Sequence, residues 1–238
     1  MAYIDGFVLA VPVANKQAYI DHATAALPIF KEFVATRMME CWADDVPDGK
    51  VTDFRRAVKA TDDEAVVFSW MEYPDKPTRD AAMEKIMSDP RMEEMGDMPF
   101  DGARMIFAGF DPILVAGSGE GSGYVDGFIA PVPVGNKSTY LAHAEKAAAV
   151  FRDCGATRVV ETWAEGLPAG KITDFNMAVN AADGEAIVFS FVEWPSKEAR
   201  QQGWEKVMAD ERMKPDGSDM PFDGKRMIYG GFSPILDA

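Results

Sequence analysis

The sequence YIDGFVLAVP at Tyr3–Pro12 decides the fold, because it returns as YVDGFIAPVP at Tyr124–Pro133. Most segments downstream of the first copy reappear downstream of the second in the same order, so the 238-residue chain is a tandem repeat. Each copy is long enough to build its own hydrophobic core. We predict repeat 1 at residues 1–114, a Gly/Ser linker at 115–123 and repeat 2 at 124–238.

Each repeat carries the pattern of strand, helix, strand, strand, helix, strand. The first segment alternates apolar positions with a period of two, and from Lys16 the apolar positions recur every three or four residues, as in an amphipathic helix. The segment EAVVFSWMEY at Glu64–Tyr73 is a strong strand candidate because it is rich in β-branched and aromatic residues. The last strand is expected at Arg104–Val115.

This order predicts an α+β fold made of two ferredoxin-like (βαββαβ) repeats. A sheet with both helices on one side leaves its other face bare, and a bare apolar face must be buried. We therefore expect the two antiparallel sheets to pack against each other as a pseudo-symmetric pair within one chain. Further association of whole chains stays open.

Composition and charge exclude several classes of partner. The formal net charge of −15 repels the phosphates of nucleic acids and of anionic membranes. Cys41 and Cys154 lie at non-equivalent positions of the two repeats, which favours two free thiols in a reducing compartment. No signal-peptide pattern and no apolar run of membrane-spanning length is present. These features predict a soluble, cytoplasmic protein that binds neither nucleic acid nor membrane.

Four stretches together carry a family resemblance: YxDGF at the start of each repeat, ECWADDVPDGKVTDF, EAVVFSW, and MPFDGKRMIYGGF at Met220–Phe232. The chain resembles the YbaA-like family, a bacterial family of unknown function in the dimeric α+β barrel superfamily. The resemblance covers both repeats and implies that the two sheets close a barrel within the chain. Relatives in the superfamily include cofactor-independent monooxygenases, haem-degrading enzymes and lactone isomerases, and the family brings no established catalytic residues.

One departure between the repeats lies in the last strand. Repeat 1 has Phe107-Ala108-Gly109 where repeat 2 has Tyr229-Gly230-Gly231. If this strand lines a cavity, the two halves form different sites.

The two histidines, His22 and His143, occupy matching positions on the first helix of each repeat, each three residues after a tyrosine. They are candidates for a general base or for a ligand to haem or metal. The alternative is a structural role, in which each histidine is a half-buried side chain at the helix–sheet interface. An absorbance scan with added haem tests the haem hypothesis.

Charged residues inside the strands are the other candidates. Asp5, Glu40 and Arg104 recur as Asp126, Glu161 and Arg226. A charge among apolar neighbours is costly unless it is paired, so these groups either form ion pairs with Arg104 or Arg37, or line a wet cavity. A carboxyl desolvated beside Trp42 would have a raised pKa and could act as acid or base.

The leading hypothesis is a protein that binds a small apolar or aromatic molecule in a cavity between sheet and helices or inside the barrel. The chemistry would be cofactor-independent oxygenation or isomerisation, with neither a metal nor another cofactor. The competing hypothesis is a non-catalytic interaction or stress-related protein with a packed barrel, and a weaker one is haem or metal binding. The predicted catalytic residues are Glu40, Glu161, His22 and His143, and the predicted ligand-binding residues are Trp42, Trp163, Phe7, Phe128, Phe68, Phe189, Arg104 and Arg226.

Overall fold

Each repeat contributes four strands to the fold, and the computed structural model describes residues 2–119, 121–214 and 219–238. The strands of repeat 1 are β1 Tyr3–Pro12, β2 Arg37–Asp45, β3 Glu64–Tyr73 and β4 Ile106–Gly117. Its helices are α1 Lys16–Glu32, α2 Phe54–Ala57, α3 Lys76–Met87 and α4 Pro90–Glu94. Repeat 2 has strands β5 Tyr124–Pro133, β6 Arg158–Trp163, β7 Glu185–Trp194 and β8 Ile228–Asp237. Its helices are α5 Lys137–Asp153, α6 Phe175–Ala178 and α7 Lys197–Ala209.

The eight strands form one closed antiparallel barrel in the order β1-β3-β2-β8-β5-β7-β6-β4. Within a repeat, β1 lies between β3 and β4, and β3 also pairs with β2. Two joints connect the repeats, because β2 pairs with β8 and β4 pairs with β6. The predicted α+β fold and the closure of a barrel within one chain are confirmed, and closure removes the exposed strand edges that an open sheet would leave.

The interior of the barrel is filled by aromatic rings from both repeats. Phe68 and Phe189 stack with ring centroids 4.5 Å apart and planes nearly parallel, at 2°. One layer along the barrel, Trp70 and Phe191 stack at 3.9 Å. These side chains belong to one continuous buried cluster to which both repeats contribute. Burial of large aromatic surface is the main source of stability in such a core.

Short helices fill one end of the barrel. Asp53 caps α2 by accepting a hydrogen bond from the backbone N–H of Arg56, and Phe54 then packs edge-on against Phe68 at 5.8 Å. The Thr52 hydroxyl donates to the carbonyl oxygen of Ala178 in α6 at 2.6 Å. Thr173 donates in the same way to the Ala57 carbonyl of α2, also at 2.6 Å, so the two helices hold each other across the repeat boundary.

Four charged side chains close the other end, and we call them the end cluster: Arg37, Glu72, Arg158 and Glu193. Arg158 reaches across to Glu72 at 2.6 Å, and Arg37 reaches across to Glu193 at 2.8 Å. Arg158 also lies 3.3 Å from Glu193, whose side chain is 0% exposed. Each arginine thus pairs with a glutamate of the other repeat, and the charges that enter the barrel are neutralised there.

The outer face of the barrel is covered by the longer helices, which pack on separate apolar clusters in the two repeats. None of the helices in the described part of the chain is long and apolar enough to cross a membrane. Two boundaries differ from the sequence prediction. Arg104 ends a 3₁₀ turn at Gly102–Arg104 before β4 begins, and β4 continues to Gly117, into the predicted linker.

Candidate functional site

A buried carboxyl group lies between α1 and the outer face of β2. Glu40 is 6% exposed, and its Oε2 accepts a hydrogen bond of 2.6 Å from the Tyr19 hydroxyl. Ser69, its register partner on β3, supplies a second hydrogen bond. Helix α1 delivers Tyr19 because its apolar stripe faces the sheet, where side chains of alternate strand residues point outward.

Repeat 2 holds the same arrangement. The Tyr140 hydroxyl donates to Glu161 Oε2 at 2.6 Å, and the Ser190 hydroxyl donates to the same oxygen. Glu161 is slightly more exposed than Glu40. We call these two clusters the Glu40 site and the Glu161 site.

The electrostatics of the Glu40 site favour a protonated carboxyl group. Desolvation by burial raises the pKa of Glu40 to about 7, and the hydrogen bonds from Tyr19 and Ser69 offset only part of this effect. Burial also raises the pKa of Glu161, against hydrogen bonds from Ser190 and Tyr140. No Lys or Arg contributes to either shift in the described part of the chain, so nothing there fixes the ionised form.

An aromatic cover lies over the tyrosine of each site. The Phe100 ring packs edge-on against Tyr19, with centroids 5.7 Å apart. Asn15 holds this segment by donating its side-chain N–H to the Pro99 carbonyl at 2.9 Å. In repeat 2 Phe222 covers Tyr140 at 5.8 Å, and Asn136 donates to the Pro221 carbonyl at 2.9 Å.

The predicted base His22 lies beside this cover. Its ring packs edge-on against Phe100 at a centroid distance of 6.4 Å, and burial lowers its pKa. His143 packs against Phe222 at 6.3 Å in the same way. Both histidines are therefore neighbours of the aromatic cover. Among the described residues, no group of three or more His, Cys, Asp or Glu side chains is arranged to hold a metal ion.

The tryptophans predicted to bind ligand lie on the same strand face as the glutamates. Trp42 is buried two residues after Glu40, and the Lys16 ammonium group lies 4.9 Å from its ring centroid. In repeat 2 the Lys137 ammonium group lies 5.0 Å from the ring centroid of Trp163. Phe7 also faces outward and stacks on Phe107 at 5.9 Å, and Phe128 packs with the outer cluster of repeat 2.

The remaining predicted ligand-binding residues lie elsewhere. Phe68 and Phe189 stack inside the barrel, on the opposite face of the sheet from Glu40. Arg104 is bound to Glu64 at 2.6 Å, and Arg226 pairs with Glu185 at 2.7 Å. The structure therefore brings Glu40, Trp42 and His22 to one region and does not bring Phe68 or Arg104 to it.

The strand aspartates have partners that the sequence does not single out. Asp5 pairs with Arg79 of α3 at 2.8 Å, not with Arg104 or Arg37. Asp126 pairs with Arg200 at 2.9 Å and accepts hydrogen bonds from two tryptophan N–H groups. These carboxylates anchor the outer helices to the sheet.

The contact between Tyr19 and Glu40 is the feature of the site that sequence reasoning missed. Sequence spacing groups Tyr19 with His22 on the helix, and Glu40 with Trp42 on the strand. A signal was present nonetheless: each is a polar group on an apolar face, the two faces must pack together, and buried polar groups are almost always hydrogen-bonded.

Comparison with known proteins identifies relatives of both repeats. Residues 2–102 and 123–224 match the model of a family described as "Protein of unknown function (DUF1428)". The uncharacterized protein YbaA of Escherichia coli K12 is 64% identical over 115 residues, which are 48% of this chain and 98% of YbaA.

Solved structures share the fold at low sequence identity. A candidate monooxygenase from Lactobacillus acidophilus superposes with a TM-score of 0.61 at 9% identity, covering 100% of this chain and 95% of its own. A candidate monooxygenase from Fusobacterium nucleatum has a TM-score of 0.59 at 7% identity, covering 99% and 93%. At this level of identity the similarity shows the fold alone.

Proposed function

Because the chain belongs to the DUF1428 family, whose function is unknown, we propose a function from its geometry: it binds a small apolar or aromatic molecule beside Glu40 and Glu161, between helices and barrel wall. The observation that carries this proposal is a buried carboxyl group held by two hydroxyl groups and by no cation. A structural carboxylate at such depth is normally paired with Arg or Lys, as Asp5 is with Arg79.

The Glu40 site has the chemistry of a general acid and base. A carboxyl group with a pKa of about 7 exchanges a proton readily near neutral pH. The Tyr19 hydroxyl fixes its orientation, and the aromatic surroundings exclude water. Ligand entry requires the Phe100 ring to move away from Tyr19, which would expose an apolar pocket with one acid–base group.

The reaction class that fits is a cofactor-independent proton transfer. Glu40 would accept a proton from an acidic C–H or O–H group of the bound molecule. In an isomerisation the same proton returns to another atom of that molecule, so no cofactor is required. In an oxygenation, dioxygen would be the second substrate and would accept the electrons of the deprotonated molecule. The names of the two structural neighbours agree with the second possibility.

The test begins with native mass spectrometry of the gently purified protein, compared with its denatured mass, to identify a co-purified molecule. Turnover or binding of that molecule is then measured in Glu40→Gln, Glu161→Gln and the double variant. The exposed Glu145→Gln serves as the matched control. We expect the double variant to lose at least 100-fold in turnover, as is usual for removal of an acid–base group. Unchanged turnover in the double variant would contradict the assignment.

A second candidate is a non-catalytic interaction protein, and the packed barrel favours it. Stacked rings fill the interior, and helices and the end cluster close its two ends. This candidate predicts no excess mass on the purified protein, and glutamate substitutions that change stability but no activity.

A further inference from the structure

Two surface grooves form where the strand pairing between the repeats ends. The pairing of β2 with β8 ends at Asp45 and Gly231, and beyond this point residues 47–53 diverge from residues 224–229. A groove of about 450 Å³ lies between them, and we call it the Tyr229 groove. Residues 105–108, 167–170 and 173–175 enclose the pseudo-equivalent space at the other joint, the Phe107 groove, of about 200 Å³.

Hydrogen bonds within the chain hold one wall of the Tyr229 groove in place. The carboxylate of Asp53 accepts from the backbone N–H of Gly49, and Arg56 donates to the Gly49 carbonyl at 2.8 Å. Thr52 is tied to α6. A Cβ at position 49 would lie 1.9 Å from the Thr52 carbonyl oxygen, so only glycine fits this turn. A preorganised wall reduces the ordering cost of binding.

The two grooves differ in shape because small residues in one replace larger residues in the other. Val46 packs on Gly230 at the Tyr229 groove, where a Cβ would lie 2.9 Å from the valine methyl group. The matching residues at the Phe107 groove are Leu167 and Ala108, which add carbon atoms at the same place. Both exchanges place larger side chains at the Phe107 groove, which agrees with its smaller volume.

The two grooves also differ in chemistry. Lys225 and Tyr229 line the larger groove, where repeat 1 has Ala103 and Phe107. The Tyr229 side chain is 51% exposed, and in the described part of the chain its hydroxyl has no hydrogen-bond partner. The repeats have diverged here even though they match at the Glu40 and Glu161 sites.

The Tyr229 groove has two lysines at its surface, in a chain of net charge −15. Lys50 and Lys225 both line it, and neither forms an ion pair with a described residue. Two acidic residues also face the groove. Asp53 is neutralised by Arg56 at 3.3 Å, and Asp48 is exposed and has no cationic partner among the described residues. The two lysines therefore outweigh the one unpaired carboxylate.

We propose that the Tyr229 groove binds a small aromatic anion. The aromatic ring lies against Tyr229 and the exposed side chain of Val51, and the anionic group is held by Lys50 and Lys225. The phenol hydroxyl of Tyr229 supplies a further donor. A volume of about 450 Å³ is within the range of small-molecule sites. This proposal does not depend on the Glu40 site, which lies under α1.

The probe is 2-naphthoate, with the neutral 2-naphthamide as its matched ligand. Binding is followed by two-dimensional amide NMR and by calorimetry on the full chain. We expect saturable binding of 2-naphthoate with shifts centred on residues 47–53 and 227–229, and weaker binding of 2-naphthamide. Replacing both lysines (Lys50→Gln with Lys225→Gln) is expected to weaken binding about fivefold, because exposed ion pairs are modest. Asp48→Asn is expected to strengthen it.

Repeat 2 supplies a control variant in the segment that matches residues 47–53. Lys171→Gln alters the position that matches Lys50 and should leave binding unchanged. Tyr229→Ala should reduce binding, and a folded NMR spectrum of this variant shows that the loss is local. Equal binding of naphthoate and naphthamide, unaltered binding in the lysine double variant, or shifts confined to other residues would each overturn the proposal.

Discussion

Gly6 and Gly127, the glycines of the repeated DGF motif, make room for the aromatic stack of the barrel. A Cβ on Gly6 would lie 2.9 Å from ring atoms of Phe189, and a Cβ on Gly127 would lie 2.8 Å from the ring of Phe68. Each glycine therefore accommodates a phenylalanine of the other repeat. The motif that reveals the duplication is also a place where the two copies touch.

We predict that Gly6→Ala lowers the free energy of unfolding by about 1–3 kcal/mol, because overpacking displaces a ring in a close-packed core. Gly127→Ala should behave alike. Gly135→Ala is the matched control: a Cβ there has open space, and repeat 1 already has Ala14 at this position. Urea unfolding monitored by tryptophan fluorescence measures all three. Equal stability of Gly6→Ala and wild type would show that the stacked aromatic rings shift to accept the added methyl group at little cost in free energy.

The raised pKa of Glu40 gives a pH dependence of stability with a definite sign. The folded pKa is about 7 and the ordinary value is 4.5, so the folded state holds the extra proton between these pH values. The contribution of this group to stability is complete below pH 4.5 and is lost as the pH rises through 7. The full loss is about 3 kcal/mol.

Glu40→Gln removes this titration and keeps an acceptor for the Tyr19 hydroxyl. We predict that the variant gains stability relative to wild type between pH 5 and pH 8, and that Glu161→Gln shifts in the same direction. Urea unfolding at both pH values provides the measurement, with Glu145→Gln as a surface control. A wild-type-to-variant difference that is the same at pH 5 and pH 8 would mean that Glu40 stays in one protonation state.

At the scale of elements, the sequence predicts the order of strands and helices well because each has a clear period. It does not tell which strand face turns into the barrel. In β3 the inward residues include Phe68 and Trp70, whereas Val67 and Met71 face outward, so both faces are apolar. The helices bury the outer face as thoroughly as the second sheet buries the inner one, and period alone cannot separate two buried faces.

The end cluster allows a test of how the strands of the two repeats are held together. We predict that Arg158→Met alone lowers the free energy of unfolding by about 3–5 kcal/mol, because it leaves the buried Glu72 with only the more distant Arg37, at 3.8 Å, as a cationic partner. Chemical unfolding of purified variants gives the value. The change should be visible as a lower denaturant midpoint.

The double variant Arg158→Met with Glu72→Met is the control for this element. It removes the pair of Arg158 with Glu72, together with the longer contacts of Arg158 with Glu193 and of Arg37 with Glu72, and it leaves the 2.8 Å pair of Arg37 with Glu193 intact. We expect its stability to return to within about 1–2 kcal/mol of wild type, since replacing a whole buried ion pair with apolar residues is often neutral. A double variant as unstable as the single one would show that the cluster acts through more than charge pairing.

At the scale of the whole molecule, the linker should be dispensable once the barrel has formed. The linker contacts described between β4 and β5 include a hydrogen bond of 3.1 Å from Arg37 to the Gly119 carbonyl and one of 2.8 Å from the Gly123 N–H to the Trp194 carbonyl. In contrast, β2–β8, β4–β6 and the aromatic core join the repeats directly. We predict that cleavage at a protease site inserted between Gly121 and Ser122 leaves the halves associated.

Native mass spectrometry of the cleaved protein measures this, alongside a denaturing gel that shows two fragments. The expected mass remains near the 26.1 kDa of the chain, increased by the inserted site. The same insertion without protease is the control. If the halves separate after cleavage under native conditions, the linker contributes most of the free energy that keeps the two repeats associated.

The closure of β2 by β8 has a consequence for synthesis on the ribosome. When repeat 1 has emerged, β2 and β4 still lack their outer partners, and Phe68 and Trp70 have no rings to stack against. About 120 further residues separate Gly117 from the end of β8, which takes roughly 6–24 s at ordinary elongation rates. During that interval the nascent half-barrel exposes unpaired strand edges. Half-barrels on neighbouring ribosomes of one message could therefore pair with each other, and slow translation of repeat 2 would increase this intermolecular association.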